Sequence, residues 1–351
     1  MSQDVYTRLR EFLDRLPGGY PATESGVEVR ILKKLFTAEQ AEIAMTLTPL
    51  PEPASSVAGR LGLEEAAIAE KLESMAREGL VYRVRADGQA LYSALQFVIG
   101  IYEFHLNTLD RELSELVEEY MPHLAEVWKS IPTKQLRVVP VGSALAADRT
   151  VVSYDQIREL VRTKTLAAVA PCICQKEQSL LGHGCTRPAE RCLTFDLAAQ
   201  YYIENGMGRP VSQEELASIL RQGEEQGLVL SPTNAKDIMN ICMCCGCCCG
   251  VLRMLKKLER PADYVQSSFR ARIDPDRCTA CGSCAEICQM EAIQETGEVH
   301  EVVDGRCIGC GLCVPVCPVE AVSLEDKGNI GPVPSDFIDM SIRIAQDRGV
   351  L

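Results

Sequence analysis

Two copies of one cysteine spacing constrain the C-terminal part of this chain more than any other feature. Each copy follows the pattern C-x2-C-x2-C-x3-C, and each cysteine of the second copy stands 29 residues after its counterpart. The copies are Cys278, Cys281, Cys284 and Cys288, then Cys307, Cys310, Cys313 and Cys317. Three thiolates at i, i+3 and i+6 on a tight loop can converge on three corners of one cubic cluster. The repeat therefore predicts two [4Fe–4S] clusters.

Glycines and packing residues support the repeat. Gly282, Gly309 and Gly311 lie between cysteines, where the backbone must pass close to sulfur and a positive φ costs glycine little. Alanine followed by a β-branched residue comes after each run at matching positions, Ala292 and Ala321. A zinc site or a disulfide framework is the alternative. Zinc sites usually use paired C-x2-C units, so two complete tandem runs favour iron–sulfur clusters.

The two runs resemble those of the bacterial two-cluster ferredoxins, over about Arg272 to Lys327. The resemblance implies that the fourth cysteine of each run binds the cluster of the other run. The implied ligand sets are Cys278, Cys281, Cys284 and Cys317 for one cluster, and Cys307, Cys310, Cys313 and Cys288 for the other. A dicluster ferredoxin domain that handles single electrons is therefore expected over residues 270–327.

One residue departs from the ferredoxin pattern. Gln289 follows the first run, where the second run has Pro318 and the family has proline. Glutamine restores a backbone N–H and loosens φ, so it could alter hydrogen bonding to nearby sulfur and shift a reduction potential. Ligation is not threatened, because Cys288 is present.

Length, charge and cysteine content limit the class of protein. A chain of 351 residues can form two or three domains, and its 18 cysteines exceed any structural need. The N-terminus lacks the apolar core of a signal peptide, and no apolar run approaches 18 residues. We therefore expect a soluble cytoplasmic protein without a membrane span, in which reduced thiols bind metal rather than form disulfides. The net charge of −13 disfavours nonspecific nucleic-acid binding and suits a basic patch on a redox partner.

The N-terminal head, residues 1–93, shows helix, helix, helix and hairpin signals in an order that resembles a winged helix. Its expected recognition helix, Glu64 to Arg77, carries four acidic residues against two basic ones, which would repel phosphate. Arg83 and Arg85 in the expected wing are the only favourable signs for DNA binding. Dimerisation or protein docking is therefore the favoured role of the head, and DNA is an unlikely partner.

Two further helical segments are expected. Apolar residues from Leu95 to about Trp128 fall near one side of a helix, which predicts a long helical arm over residues 94–135. Such an arm could join domains or form a homodimer. Residues 328–351 carry a second apolar pattern, which predicts a tail helix that docks a partner or, more often, packs on its own domain.

The middle segment, residues 136–260, carries ten further cysteines, six of them within eight residues. They are Cys172, Cys174, Cys185, Cys192, Cys242, Cys244, Cys245, Cys247, Cys248 and Cys249. Ser153 and Ser212 are predicted to cap helices of this segment. Neighbouring side chains diverge, so the dense run is expected to feed two clusters, or one cluster and some structural thiols. The first four cysteines could bind one cluster alone or share ligands with the later run.

The spacing of these ten thiols also does not decide which metal they bind. A soft thiolate set selects iron–sulfur clusters, zinc or copper(I). The neighbouring ferredoxin runs favour one or two additional iron–sulfur clusters, and zinc or an active-site dithiol is the alternative. His183 is a conceivable ligand, but with thiols nearby a solvated or outer-shell position is favoured.

The whole chain is expected to be an α+β protein, and it resembles multi-cluster ferredoxin-like proteins of anaerobes. No nucleotide-binding glycine motif or hydrolase motif is found, so substrate chemistry is expected in another subunit. The hypothesis is an electron-transfer protein between a reductase, such as a flavin oxidoreductase, and a second redox protein. One rival is a redox-sensing transcription regulator that uses the winged-helix head. Another is a catalytic site among Cys242 to Cys249.

Overall fold

Five helices and one small sheet build the N-terminal head in the computed structural model, which describes residues 4–145, 156–328 and 331–351. The strands pair antiparallel in the order β1-β3-β2. The elements are α1 Val5–Asp14, α2 Val27–Leu35, α3 Ala38–Ala44, β1 Glu52–Pro53, α4 Ala54–Leu61, α5 Glu65–Arg77, β2 Tyr82–Ala86 and β3 Gln89–Ser93. Helices followed by a hairpin agree with the expected order of elements, and the winged-helix assignment stays a prediction.

The helical arm is not one helix, so the prediction of a continuous helix from Leu95 to Trp128 is wrong. Two α-helices occur, α6 Tyr102–Phe104 and α7 Arg111–Ser130, after an irregular π-helical segment, Phe97–Ile101. Before α6 the backbone of Val98 and Gly100 leaves helical angles. The amide of Gln96 donates to Val98 O at 2.9 Å, and Glu103 accepts from Gly100 N–H at 2.8 Å. Such side-chain bonds to the backbone compete with a helix, and the apolar spacing does not reveal them.

Helix α7 packs within its own chain. Its buried residues, among them Val117, Tyr120 and Leu124, lie in the core of the head, and α7 contacts α2 on one side and the cysteine-rich segment on another. The arm therefore joins the head to the middle segment. Within residues 111–130, all of them described, no large apolar side chain is exposed to support the predicted homodimer. Among the described residues, no helix combines the length and apolar character that crossing a bilayer requires.

The middle segment is a five-stranded antiparallel sheet with helices around it. The strands lie in the order β6-β4-β5-β8-β7. The elements are α8 Ile157–Arg162, β4 Ala167–Pro171, α9 Ile173–Leu180, β5 Glu190–Phe195, α10 Asp196–Glu204, β6 Arg209–Pro210, α11 Gln213–Glu225, β7 Val229–Pro232, β8 Asn240–Cys244 and α12 Gly250–Lys256. Ser212 caps α11 by accepting from Glu215 N–H at 3.1 Å, as predicted. The predicted cap at Ser153 lies outside the described residues.

The C-terminal part consists of two small antiparallel sheets and a tail helix. Strand β9 pairs with β12, and β10 pairs with β11. The elements are β9 Phe269–Ile273, α13 Ser283–Ile287, β10 Ile293–Thr296, β11 Val299–Val302, β12 Val322–Asp326 and α14 Phe337–Arg348. Helix α14 buries Met340 and Ile344 against Ile131, and Arg348 Nη1 donates to Leu16 O at 2.6 Å. The tail therefore packs on its own chain, and the mixture of helices and strands confirms the α+β class.

The head and the middle segment meet at a buried arginine. Arg83 on β2 is 3% exposed and pairs with Glu73 of α5 at 2.7 Å and with Glu204 of α10. Arg85 pairs with the same two carboxylates. Tyr201 O–H donates to Ala76 O at 2.6 Å across the same contact. Both arginines of the expected wing are thus neutralised within the chain, which removes the one favourable sign for DNA binding.

Replacing Arg83 by alanine should lower the free energy of unfolding by about 1–3 kcal/mol, because it removes hydrogen bonds to two partly buried carboxylates. The matched control is Arg85→Ala, whose exposed side chain should contribute less than about 0.5 kcal/mol. Thermal unfolding followed by circular dichroism measures both. Equal effects of the two substitutions would contradict this account of the interface.

Candidate metal centres

Helix starts and strand ends bring the middle cysteines together. Cys172 precedes α9 as its N-cap residue, and Cys249 holds the same position before α12. Cys242 and Cys244 lie two residues apart on β8, so their side chains share one face of the sheet. Cys245 to Cys248 form the loop between β8 and α12. Neighbouring cysteines of the dense run therefore point to different sides and belong to two separate groups, as the divergence of neighbouring side chains predicts.

One set of thiols, the Cys185 group, consists of Cys185, Cys245, Cys247 and Cys248. Their four Sγ atoms all lie within 4.8 Å of one another. The Cys185–Cys245 pair is 4.0 Å apart and the Cys247–Cys248 pair 3.9 Å apart. Cys185 comes from the loop between α9 and β5, so it pins that loop to the β8–α12 loop. Cys185 therefore joins the later run and does not form a site with the three other early cysteines.

A second set, the Cys172 group, consists of Cys172, Cys174, Cys244 and Cys249. Cys174 contacts both Cys172 and Cys249, and Cys249 also contacts Cys244. The contact with Cys174, helped by the Gln175 N–H and by Arg191, lowers the pKa of Cys172 to about 6 against the effect of burial. Contacts with Cys174 and Cys244, and then the Leu252 and Val251 amides, lower the pKa of Cys249. Cys172 and Cys249, at the two helix starts, are thus the members of the group that favour the thiolate form, whereas contacts with neighbouring thiols, and then burial, raise the pKa of Cys174 and Cys244.

Cys192 and Cys242 lie beside the Cys172 group. They face each other across β5 and β8, and Cys242 contacts Cys244. Burial, and then the neighbouring thiols of Cys242 and Cys172, raise the pKa of Cys192. Cys192 and Cys242 thus lie next to the Cys172 group, although they are not counted among its four members. His183 is exposed, in agreement with the favoured solvated position.

Arg191 on β5 lies among the thiols of both groups, and the sequence alone did not single it out. Its side chain is 1% exposed, Nη1 donates to Cys245 Sγ at 3.4 Å, and Nε has no hydrogen-bond partner among the described residues. Burial acts to lower the pKa of Arg191, but Cys172, Cys245 and Cys185 raise it. A buried cation requires a compensating negative charge. Anionic thiolate–metal centres would supply it, so the surroundings of Arg191 fit a bound metal.

The eight cysteines of the C-terminal repeat lie in two places. Cys278, Cys281, Cys284 and Cys317 line one small cavity, so a cysteine of the second run lies with three of the first. Burial raises the pKa of Cys310 to about 12, and nearby Cys288 and Cys307 contribute to the rise. Burial likewise raises the pKa of Cys313, with Cys310, Cys307 and Cys288 as neighbours. The fourth cysteine of each run thus lies beside the other run.

Backbone amides approach these sulfurs with the same internal symmetry. Ala292 N–H donates to Cys288 Sγ at 3.3 Å, and Ala321 N–H, 29 residues later, donates to Cys317 Sγ at 3.2 Å. A second pair of bonds is related in the same way. His300 N–H donates to Cys278 Sγ at 3.4 Å, and Ala271 N–H donates to Cys307 Sγ at 3.3 Å. Amide donors to sulfur stabilise the charge of ligated thiolates. These residues therefore fit two iron–sulfur clusters, whose iron would displace the thiol protons.

Glycine is required at one point of this backbone. Gly309 has φ +75°, and a Cβ there would lie 2.1 Å from Phe269 O. The counterpart in the first run is Ala280, which also has a positive φ of +52°. Gly282 and Gly311 repeat the left-handed conformation at +82° and +74°. The positive φ values predicted for the three glycines are confirmed.

Comparison with known proteins agrees with this geometry. Residues 271–324 match the model of the 4Fe-4S dicluster domain. These residues, the dicluster domain, are thus similar to a two-cluster iron–sulfur module. Over 72 residues the chain is 38% identical to a subunit of the ion-translocating oxidoreductase complex of Methanosarcina acetivorans, a match that covers 19% of this chain and 24% of that protein. The chain thus spans about a quarter of the length of that relative. No solved structure matches the chain.

Gln289 joins the dicluster domain to the middle cysteines, a role the sequence did not indicate. Its Oε1 accepts from Gly246 N–H at 2.8 Å, and Gly246 lies between Cys245 and Cys247. A Cβ on Gly246 would lie 2.4 Å from Gln289 O. The family's proline would have no side-chain oxygen for this bond. The departure from the ferredoxin pattern therefore forms a contact between two cysteine-bearing loops.

The Gly246→Ala substitution should force the dicluster domain away from the loop of the Cys185 group, because the clash is with backbone. We expect a loss of about 1–3 kcal/mol in the free energy of unfolding and faster proteolysis between the two loops. Gly59→Ala is the matched control, since a Cβ there meets nothing within 4 Å and Gly59 lies within α4. Thermal unfolding and limited proteolysis of the anaerobic protein measure both. Equal stability of the two variants would contradict the contact.

Proposed function

We propose that this chain is an electron-transfer protein, in which the dicluster domain exchanges single electrons with a centre in the middle segment. The observation that carries the proposal is the hydrogen bond between Gln289 and Gly246, which places residue 289, next to Cys288, against the loop of the Cys185 group. This contact of the dicluster domain with the cysteine-rich segment supports transfer within the chain.

The cysteines hold the redox groups, and the surrounding chain adjusts their potentials. One cluster would be held by Cys278, Cys281, Cys284 and Cys317, and the other by Cys307, Cys310, Cys313 and Cys288. Bound [4Fe–4S] clusters supply reversible one-electron chemistry. The amides that donate to Cys278, Cys288, Cys307 and Cys317 stabilise the reduced state, which carries more negative charge.

A third redox centre is proposed at the Cys172 group. Its four thiols are buried or half-buried. Contacts with neighbouring thiols, and then amides at the starts of α9 and α12, lower the pKa of Cys172 and Cys249, whereas thiol contacts and burial raise the pKa of Cys174 and Cys244. Cys249 belongs to the Cys172 group and Cys248 to the Cys185 group, so the two sets are adjacent along the chain. A centre at this place would therefore adjoin the loop that Gln289 contacts. Cys192 and Cys242 are candidate additional ligands there.

The external partner is proposed to be a redox protein. The relative named above is a subunit of an ion-translocating oxidoreductase complex, and by analogy this chain is proposed to serve an oxidoreductase assembly. The net charge of −13 suits a basic docking surface. A flavin oxidoreductase as donor and a cytoplasmic location remain predictions. Because Arg83 and Arg85 are paired within the chain, the head is proposed to dock on the middle segment rather than on DNA.

Pairs of cysteine substitutions test which thiols share a cluster. Cys288→Ala and Cys307→Ala should each remove up to about four irons per chain, and the double variant that combines them should lose no more than either single variant. Cys288→Ala combined with Cys278→Ala should remove about eight irons, since these cysteines would serve different clusters. Iron and acid-labile sulfide analysis of anaerobically purified protein measures this.

The matched control is the exposed Cys247, whose replacement should leave the eight irons of the dicluster domain in place. If Cys288→Ala and Cys278→Ala together removed only about four irons, while Cys288→Ala and Cys307→Ala together removed about eight, the fourth cysteine of each run would bind the cluster of its own run. That result would contradict the proposed ligand sets. Fewer than about eight irons in the unsubstituted protein would overturn the proposed function.

A further inference from the structure

The four sulfurs of the Cys185 group are close enough together to share one ion. A tetrahedral ion with metal–sulfur bonds of about 2.3 Å holds its thiolates about 3.8 Å apart. The two pairs in the structure are 4.0 and 3.9 Å apart, and all four sulfurs lie within 4.8 Å of one another. The thiolates of a cubic cluster end on four different irons and stand more than about 6 Å apart. The spacing therefore suits one ion better than a cube.

The dicluster domain provides an internal comparison. Its eight cysteines include no set as close as the Cys185 group among the described residues. Cys278, Cys281, Cys284 and Cys317 instead surround a cavity. One chain thus shows two arrangements of four thiols, a wide one where the sequence repeat predicts a cube and a tight one in the middle segment.

We propose that the Cys185 group is a closed site for a single divalent ion of the zinc class, Zn²⁺ or Fe²⁺, separate from the [4Fe–4S] clusters. Tetrahedral sites of four thiolates select zinc or iron. Four protein ligands leave no open position for substrate, which is the arrangement of structural rather than catalytic sites. Such an ion would occupy the site whether or not the chain transfers electrons.

Charge balance supports an anionic centre at this place. Four thiolates around one divalent ion carry a net charge of −2. The guanidinium of Arg191 donates to Cys245 Sγ at 3.4 Å, and that of Arg187 donates to Cys247 Sγ at 3.4 Å. The Gln175 amide lies 3.5 Å from Cys185 Sγ. Two guanidinium groups, those of Arg191 and Arg187, thus lie against the thiols of the Cys185 group and would offset the charge of such a centre.

The position of the site indicates a structural role. It joins the α9–β5 loop, through Cys185, to the β8–α12 loop, and the same loop presents Gly246 to Gln289. The ion would therefore fix the surface on which the dicluster domain rests. Cys244 and Cys249 flank the β8–α12 loop, so the ion would also help to fix these two members of the Cys172 group.

Metal analysis of the full chain tests the proposal. We expect one zinc per chain, or one iron in excess of the labile sulfide, and its complete loss in the Cys185→Ala and Cys247→Ala variants. Cys172→Ala is the matched control and should retain this ion, because Cys172 lies in the other group. Loss of about four irons with their sulfide on replacing Cys185 would overturn the proposal, and so would unchanged metal content in the Cys247→Ala variant.

A second measurement avoids the risk that a variant does not fold. X-ray absorption at the zinc edge of the unsubstituted protein should show four sulfurs at about 2.3 Å, and Co²⁺ incorporated in its place should give tetrahedral thiolate absorption bands. If zinc is absent, a high-spin ferric electron paramagnetic resonance signal from one isolated iron, appearing when the protein is oxidised with ferricyanide, identifies the Fe²⁺ case. Bound zinc with oxygen or nitrogen ligands would contradict the site. Cluster iron is accompanied by acid-labile sulfide, whereas the single ion is not. Absence of the single ion is therefore distinguishable from absence of the [4Fe–4S] clusters, which would contradict the proposed function.

Discussion

The close packing of thiols, whose negative charge bound metal cations would balance, is the constraint on which the rest of this structure depends. Six of the 18 cysteines are buried and ten are half-buried, and the 18 lie in or beside three neighbourhoods, the Cys172 group, the Cys185 group and the dicluster domain. Burial raises the pKa of Cys310 and Cys313, and adjacent thiols add to the rise. Without a cation these groups would stay protonated and bind little together. A bound cation in each neighbourhood would hold together loops that are far apart in sequence.

A few polar contacts explain how the parts of the chain meet. The dicluster domain touches the middle segment through Gln289 and Gly246, and the head touches it through Arg83 and Glu204. Helix α7 joins the head to the middle segment, where its Glu118 pairs with Arg253 on α12. The middle segment therefore contacts both the head and the dicluster domain, although its cysteine spacing matches no pattern that predicts a site. A buried arginine, Arg191, lies in this segment without a carboxylate partner among the described residues.

The sequence predicted most where a short-range repeat carries the information. The tandem runs, the left-handed glycines and the cap at Ser212 follow from local spacing, and the structure has them. The arm was predicted wrongly, because the Gln96 and Glu103 side chains that interrupt it act on the backbone, and apolar periodicity does not detect such bonds. The division of the middle thiols could not be predicted, because it depends on the pairing of β5 with β8 and on where α9 begins. Gln289 was recognised as a departure, but its partner lies 43 residues away.

The most direct test of the central claim is Mössbauer spectroscopy of ⁵⁷Fe-labelled protein purified without oxygen, combined with electron paramagnetic resonance after reduction. The account predicts that eight irons per chain belong to two [4Fe–4S] clusters, and that their reduced signals show the magnetic interaction of neighbouring centres. Protein that is colourless, or that holds zinc and no cluster iron at all, would contradict it.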